Sequence, residues 1–368
     1  MKVYIYAIAK DEAKHAASFM ASAAEADGVY VLDTGSRDGT AEVLRSLGAH
    51  VTAKEIVPWR FDTARNESLA LLPEDADICV CVDLDEVFRP GWRAALERAW
   101  LPGTQQAAYR YVWSFTPTGE EGHVFWLEKA HARRGFRWKN AVHEVLCYEG
   151  AAPHRIVRAE GVQLEHYPDE TKSRAQYLPL LEQAVAEEPE NDRNMHYLGR
   201  EYMFRGRWSE AAAALKAHLA LPTALWRDER CASMRFIARC EEAQGRGEEA
   251  FSWLLRAAGE APWLREPWVA LCQWMYRRQD WEGVYFAAER ALRIRQRGES
   301  YITEAESWGA LPWDLGSLGA WYTGRFERAA ELAAEALRLC PEDERLKKNY
   351  ELISTKASQS LRPQTQIK

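Results

Sequence analysis

What this 368-residue chain lacks narrows its function before any motif does. No apolar stretch approaches the roughly 20 residues that span a bilayer, so no membrane helix is expected. Met1 leads straight into a strand-like run, with no targeting segment expected ahead of it. The seven cysteines (Cys79, Cys81, Cys147, Cys231, Cys240, Cys272 and Cys340) show neither a paired zinc spacing nor a disulfide framework. Cys79 and Cys81 alternate with Ile78, Val80 and Val82, which reads as a buried strand with small hydrophobes, and the cytoplasm is the expected compartment. Positive charge is also short. Lys and Arg number 48 against 55 Asp and Glu, a formal net charge of −7, which argues against a large nucleic-acid footprint but leaves room for a local basic groove. Tryptophan is abundant: 16 residues, most of them in the C-terminal half.

Two different grammars divide the chain. Residues 1–170 alternate strand and helix. Lys2–Ile8 reads as a buried parallel-type strand, and Val29–Leu32, Val51–Ile56 and Ile78–Val82 as further strands, with helices at Ala41–Leu47 and Ala64–Leu72 between them. This cadence predicts an α/β domain with a right-handed, mostly parallel sheet covered by helices. From Ala107 to Leu164 the pattern turns to strands and loops rich in aromatic residues. Residues 171–353 are helical and repetitive, with turns at Arg207, Arg246, Asp280 and Arg325. Those positions lie 39, 34 and 45 residues apart and bracket the roughly 34-residue tetratricopeptide period. An all-α, tetratricopeptide-like superhelix is expected, with a concave face suited to extended partners. Its Trp253, Trp263, Trp268, Trp274 and Trp281 read as inter-helix core. The segment 354–368 is polar, aperiodic and expected to be disordered.

Chemistry concentrates at two strand ends. Asp33-Thr-Gly-Ser-Arg-Asp-Gly-Thr40 follows one apolar run, and Asp83-Leu-Asp85-Glu86 follows another. Ligands of open α/β sheets bind at the carboxyl ends of parallel strands. Gly35 and Gly39 suit a strand-to-helix turn, and Asp38 or Thr40 suits a helix N-cap. The Asp-x-Asp step suits a hard divalent cation, because two adjacent carboxylates repel unless something positive sits between them. Arg133 and Arg134, with Arg137 and Lys139, form a compact basic cluster near these acids, either as a solvated loop or as a phosphate contact. His15, His50, His123, His131 and His154 read as surface or loop residues.

Lys10-Asp-Glu12, Asp33-Thr-Gly-Ser36, Arg60-Phe-Asp-Thr-Ala-Arg-Asn66 and Val82-Asp-Leu-Asp-Glu86, taken in this order, resemble family-2-like nucleotide-sugar glycosyltransferases of the GT-A fold. Val142-His-Glu144 and Glu165-His-Tyr167 extend the resemblance, which covers residues 1–170. Pro168 stands where the family usually has a small residue. A tetratricopeptide-like second half recurs in a bacterial and phage subgroup that includes peptide S-glycosyltransferases. The resemblance implies a metal-dependent, inverting transferase. Glu12 and Asp33 would contact base or ribose, Arg65 the diphosphate or the nearby acids, and Asp83 the ribose or donor sugar. Asp85 and His166 would bind Mn²⁺ or Mg²⁺. Glu144 would be the general base, with His143 the alternative. The donor would be a nucleotide-diphosphate sugar, with a uridine-diphosphate sugar favoured, and the acceptor a peptide, a glycan or a phage DNA base. Self-association through the helical half is also considered.

Two competing classes remain. A different enzyme is the first: a nucleotidyltransferase would want a Gly-rich basic loop after the first strand, where Ala9-Lys-Asp-Glu-Ala13 is acidic, and a sugar hydrolase would need two carboxylates flanking a glycosidic bond. The second is a non-catalytic scaffold that binds nucleotide sugar or protein and is built on the helical repeats.

Overall fold

The computed structural model describes residues 1–116, 119–169, 171 and 175–360. Contacts divide the chain into two compact units: Met1–Pro189 with Glu299–Tyr301, and Glu190–Gly298 with the chain from Ile302 onward.

The strands of the first unit are β1 (Val3–Ala9), β2 (Gly28–Asp33), β3 (His50–Ala53), β4 (Ile78–Cys81), β5 (Glu86–Phe88), β6 (Gln106–Val112), β7 (Val124–Ala132), β8 (Phe136–Lys139), β9 (Val145–Tyr148) and β10 (Ile156–His166). Its helices are α1 (Ala13–Ser22), α2 (Thr40–Ser46), α3 (Phe61–Ala70), α4 (Trp92–Ala99) and α5 (Tyr177–Glu187). Eight strands form one sheet in the order β3-β2-β1-β4-β7-β6-β10-β5, and β8 pairs with β9 apart from it. Strands β3, β2, β1 and β4 run parallel, each crossover carried by one of α1 to α3. The central runs are covered on both faces, with Val3, Ile5, Tyr6 and Ala7 of β1 and all of β4 buried, whereas the edge strand β3 is mostly exposed.

The expected mostly parallel sheet holds for this half and not for the other. Strand β7 is antiparallel to both β4 and β6, and β5 is antiparallel to β10, so the sheet is mixed. No helix separates β6 from β7, and strands joined by a loop alone pair antiparallel, because a parallel return needs a crossover. A second correction concerns His131. It is not a surface residue but lies fully buried on β7. Its Nε2 is 2.7 Å from the Tyr6 hydroxyl, which accepts from Trp138 Nε1 at 2.9 Å, and its Nδ1 is 2.8 Å from the Ala132 carbonyl. Burial pushes this imidazole down to about 4, so it stays neutral and acts as a structural bridge.

The second unit is a succession of helical hairpins. Helices α6 (Asp192–Phe204) and α7 (Trp208–Ala220) pack together, as do α8 (Arg227–Ala243) and α9 (Gly247–Glu260). The pairs α10 (Arg265–Arg277) with α11 (Trp281–Arg293) and α12 (Leu311–Tyr322) with α13 (Phe326–Leu339) follow, and α14 (Glu344–Ser360) packs on α13. Residues 361–368, the rest of the segment expected to be disordered, lie outside the described residues. The irregular repeat spacing has a physical source. The 45-residue interval between Asp280 and Arg325 contains an inserted stretch after α11, with a 3₁₀ turn at Ala305–Trp308.

The four recurrent turns share one geometry. Gly206, Gly245, Gln279 and Gly324 all adopt positive φ, at 71°, 77°, 58° and 77°. In each, the next amide N–H reaches back to the carbonyl five residues earlier: Arg207 to Tyr202, Arg246 to Glu241, Asp280 to Met275 and Arg325 to Ala320. This is the Schellman stop, which satisfies the last carbonyls of a helix and favours glycine at the left-handed position. Among the recurrent tryptophans, Trp274 is buried, Trp253, Trp268 and Trp281 are half-buried against the core of the α8–α11 hairpins, and Trp263 is 45% exposed, contrary to its reading as core.

Gln279 carries the strain of a left-handed non-glycine residue, a cost of about 1–2 kcal/mol. Gln279→Gly is expected to stabilise this unit by about 0.5–1 kcal/mol, read as a higher urea midpoint with an unchanged m-value. A lower midpoint would show that the Gln279 side chain holds more than the turn.

Candidate functional site

The parallel half of the sheet brings the sequence-selected acids to one edge. Asp33 ends β2, Glu12 follows the end of β1, and Asp83 follows β4, with β1 lying between β2 and β4. Asp33 is buried; its Oδ1 accepts from the amides of Gly35 and Ser36 at 3.1 and 3.0 Å, while its Oδ2 is buried without a hydrogen-bond partner. An orphaned buried carboxylate oxygen costs stability unless a donor reaches it. Gly39 supplies the left-handed turn (φ 87°) that starts α2. The Glu12 amide donates to Thr40 Oγ1 at 2.7 Å, tying the loop after β1 to the start of that helix.

Asp83 belongs to an internal ion cluster. The Arg65 guanidinium, on α3 and buried, lies with Nη1 2.6 Å from Asp83 Oδ1 and Nε 2.9 Å from Glu144 Oε1. Lys129 on β7 places Nζ 3.2 Å from Asp83 Oδ2 and 3.5 Å from Glu86 Oε1. The Tyr111 hydroxyl donates to Glu86 Oε1 at 2.7 Å, and the Asp83 amide donates to Glu86 Oε2 at 2.8 Å. Burial alone would raise the Asp83 carboxyl, but Arg65 and then Lys129 outweigh it and hold it well below the ordinary carboxylate range. Burial raises Glu86, opposed mainly by Lys129. The positive charge that the Asp-x-Asp step demands is therefore supplied to Asp83 by the chain itself.

Asp85 faces elsewhere. The antiparallel register of β5 on β10 sets Glu86 opposite His166, and the Tyr167 amide donates to the Asp85 carbonyl at 2.8 Å. This brings His166 Nε2 to 3.3 Å from Asp85 Oδ2. His166 Nδ1 lies 3.0 Å from the Trp113 carbonyl, and the ring stacks on the Trp113 indole with centroids 4.5 Å apart. Burial lowers the His166 pKa, but the hydrogen bond and charge of Asp85 outweigh it and raise the group above its usual 6.5. With Nδ1 turned to the Trp113 carbonyl, Nε2 is the nitrogen that faces Asp85.

The structure thus joins Arg65, Asp83 and Glu144 in one ion-pair chain and Asp85 with His166 in another. Asp33 stands at the same edge, two strands over. His143 adopts positive φ (52°) and stacks on Tyr177 of α5 with centroids 5.8 Å apart. The basic cluster is spoken for in part: Arg133 donates to the carbonyls of Pro73 and Leu72, Arg134 is exposed near Glu74, and Lys139 pairs with Glu149 at 2.8 Å. Sequence reasoning missed Lys129, Glu86 and Tyr111 as members of the cluster. The available signal was the adjacent Glu128 and Lys129 in a strand that is otherwise mostly apolar.

No family model matches the chain, and no curated protein matches it. Solved structures that match include the Cut9–Hcn1 hetero-tetramer of the APC/C (13% identity, TM-score 0.37, 49% of this chain and 33% of that one). Yeast Tom70 matches at 12% identity and TM-score 0.37, over 51% of this chain and 37% of that one. A thermophilic TPR protein of Thermus thermophilus matches at 18% identity and TM-score 0.33, over 48% of this chain and 89% of that one. This chain thus spans a third of the Cut9 chain it aligns with. These neighbours are tetratricopeptide-repeat proteins, with no glycosyltransferase among them. The membership expected from the motifs of residues 1–170 and the assignment as a hexosyl-transferring enzyme are corrected accordingly. Glu144, the expected general base, is ion-paired to Arg65.

Removing the cation at the centre of the cluster leaves buried acids uncompensated. Arg65→Met is expected to destabilise the first unit by about 3–5 kcal/mol in a urea melt, because breaking a buried pair costs more than the pair contributes. A loss below about 1 kcal/mol would show that Asp83 and Glu144 rehydrate freely.

Proposed function

We propose that the chain is a two-part binding scaffold, with one site for a cation-bound nucleoside diphosphate and a helical unit that engages a protein. The reading rests on the Asp85–His166 pair. Two donors about 2.0–2.2 Å from one octahedral ion stand about 2.8–3.1 Å apart, so the pair would close by a few tenths of an ångström on binding. The observed separation is 3.3 Å. A mixed carboxylate and imidazole set suits Mn²⁺, with Mg²⁺ the alternative. Two protein ligands are few, and this fits a cation that completes its shell with phosphate oxygens and water. When bound, the cation would neutralise diphosphate charge. Asp33 Oδ2, the open acceptor at the same sheet edge, would take a hydroxyl or N–H donor of the nucleoside. A uridine-diphosphate sugar is the ligand to test first. No transfer step is assigned.

For the helical unit, the supporting observation is its exposed aromatic surface. Phe204, Trp226, Trp263, Tyr276, Phe286 and Tyr322 are each at least 40% exposed. Aromatic side chains of this kind are the usual anchors of protein interfaces. Among the described residues no helix is long and apolar enough to cross a membrane. All seven cysteines are free, which suits the reducing cytoplasm.

A thermal-shift panel of nucleotide sugars with and without Mn²⁺ tests the first site. One nucleotide is expected to raise the melting temperature in a Mn²⁺-dependent manner, with the effect lost in Asp85→Ala. Stabilisation by no nucleotide would overturn the reading. The pH dependence has a defined sign. Asp85 holds a proton on His166, and a cation must displace it, so Mn²⁺ affinity is expected to rise as pH increases through and above 6.5. An affinity flat with pH would remove His166 from the ligand set.

A further inference from the structure

A different cluster lies inside the helical unit. His196 on α6, His218 on α7 and Glu229 on α8 are all buried, and one ligand atom from each lies within 4.8 Å of the others. Helix α8 supplies Glu229 and, four residues along the same face, Ser233. His218 Nε2 is 3.4 Å from Glu229 Oε1, yet it is buried without a hydrogen bond. On the far side of both rings stands one hydroxyl: Ser233 Oγ lies 2.7 Å from His196 Nδ1 and 2.9 Å from His218 Nδ1.

We propose that His196, His218 and Glu229 form a buried site for a zinc-type divalent cation that pins α6, α7 and α8 together. Three features carry this. The first is spacing: two ligands about 2.0–2.1 Å from one tetrahedral zinc ion stand about 3.3 Å apart, close to the 3.4 Å between His218 Nε2 and Glu229 Oε1. The second is the serine. Its oxygen has two lone pairs and can accept an N–H from each Nδ1, which leaves Nε2 of both rings with a bare lone pair; metal-ligating histidines commonly give their other N–H to such a partner. The third is the orphaned nitrogen. With both Nδ1 protonated, His218 Nε2 would face the Glu229 carboxylate lone pair to lone pair, an arrangement that a cation between them relieves.

Two imidazoles and a carboxylate make a borderline-soft set that suits zinc over Mg²⁺ or Ca²⁺. The donors lie in the interior, so the ion would act on folding rather than on a substrate. This site is independent of the strand-end pair, since it uses other residues of another unit.

The test uses the full chain carrying Asp85→Ala, which removes the other candidate cation site. The protein is prepared with equimolar Zn²⁺, desalted, and its metal content measured; Co²⁺ is substituted in the same Asp85→Ala chain and its visible spectrum recorded. About one equivalent of zinc is expected to be retained, with the intense visible bands of tetrahedral Co²⁺. His218→Gln and Glu229→Gln are each expected to lose roughly nine-tenths or more of the bound metal. Ser233→Ala, which keeps all three ligands, is expected to bind roughly tenfold more weakly. Should His218→Gln or Glu229→Gln fail to fold, the Ser233→Ala affinity and the cobalt spectrum of the Asp85→Ala chain decide. No zinc retained by the Asp85→Ala chain, or an octahedral cobalt spectrum, would overturn the proposal and leave the cluster as a hydrogen-bonded network. Undiminished zinc in His218→Gln would do the same.

Discussion

The strand-end edge of the first unit depends on one buried guanidinium. Arg65 arises from α3, lies almost out of solvent, and holds Asp83 from the end of β4 and Glu144 from the loop before β9 within 2.9 Å. Without it, two carboxylates from distant parts of the chain would be forced together in a poorly solvated place. With Lys129 on the other side of Asp83, it fixes where the loop after β4 goes, and so where Asp85 and Glu86 point. Buried ion pairs are a weak source of net stability, but they are demanding about geometry. Here that demand leaves Asp85 free to face His166 rather than Asp83.

Much of the first half was legible in the sequence because parallel strands covered on both faces must read as apolar runs. The end of β2 at Asp33 and the end of β4 just before Asp83 follow from where those runs stop. The glycine turn into α2 was legible for the same local reason. What could not be read was partnership across the sheet. The mixed order, with β7 inserted antiparallel between β4 and β6, is set by long-range pairing, and it alone delivers Lys129 to Asp83. The register of β5 on β10 is equally non-local, so the approach of His166 to Asp85 was named from motif order and located only by the fold. His131 was misjudged because a lone polar residue in a strand gives no hint of the Tyr6 hydroxyl waiting for it.

The helical unit shows the complementary case. Its hairpins were legible from the recurring Gly-Arg turns, and the structure shows why that signal repeats: each is a Schellman stop requiring a left-handed residue. Gln279 breaks the sequence pattern and keeps the geometry. The three buried polar residues of α6, α7 and α8 gave no comparable signal, because a histidine inside a helix of mixed composition has no period of its own. The assignment of a transferase shows the limit of motif order. Acids at strand ends describe a cluster of polar groups on an α/β sheet, and such a cluster does not by itself specify a reaction.

The account turns on whether the Asp85–His166 pair takes a cation together with a nucleotide. Water-proton relaxation of Mn²⁺, titrated with the protein and then with uridine diphosphate, reads this directly. The account predicts enhanced relaxation on adding protein, a further change on adding the nucleotide, and loss of both in His166→Ala. Free-ion relaxation throughout the titration, or enhancement that survives in His166→Ala, would contradict it.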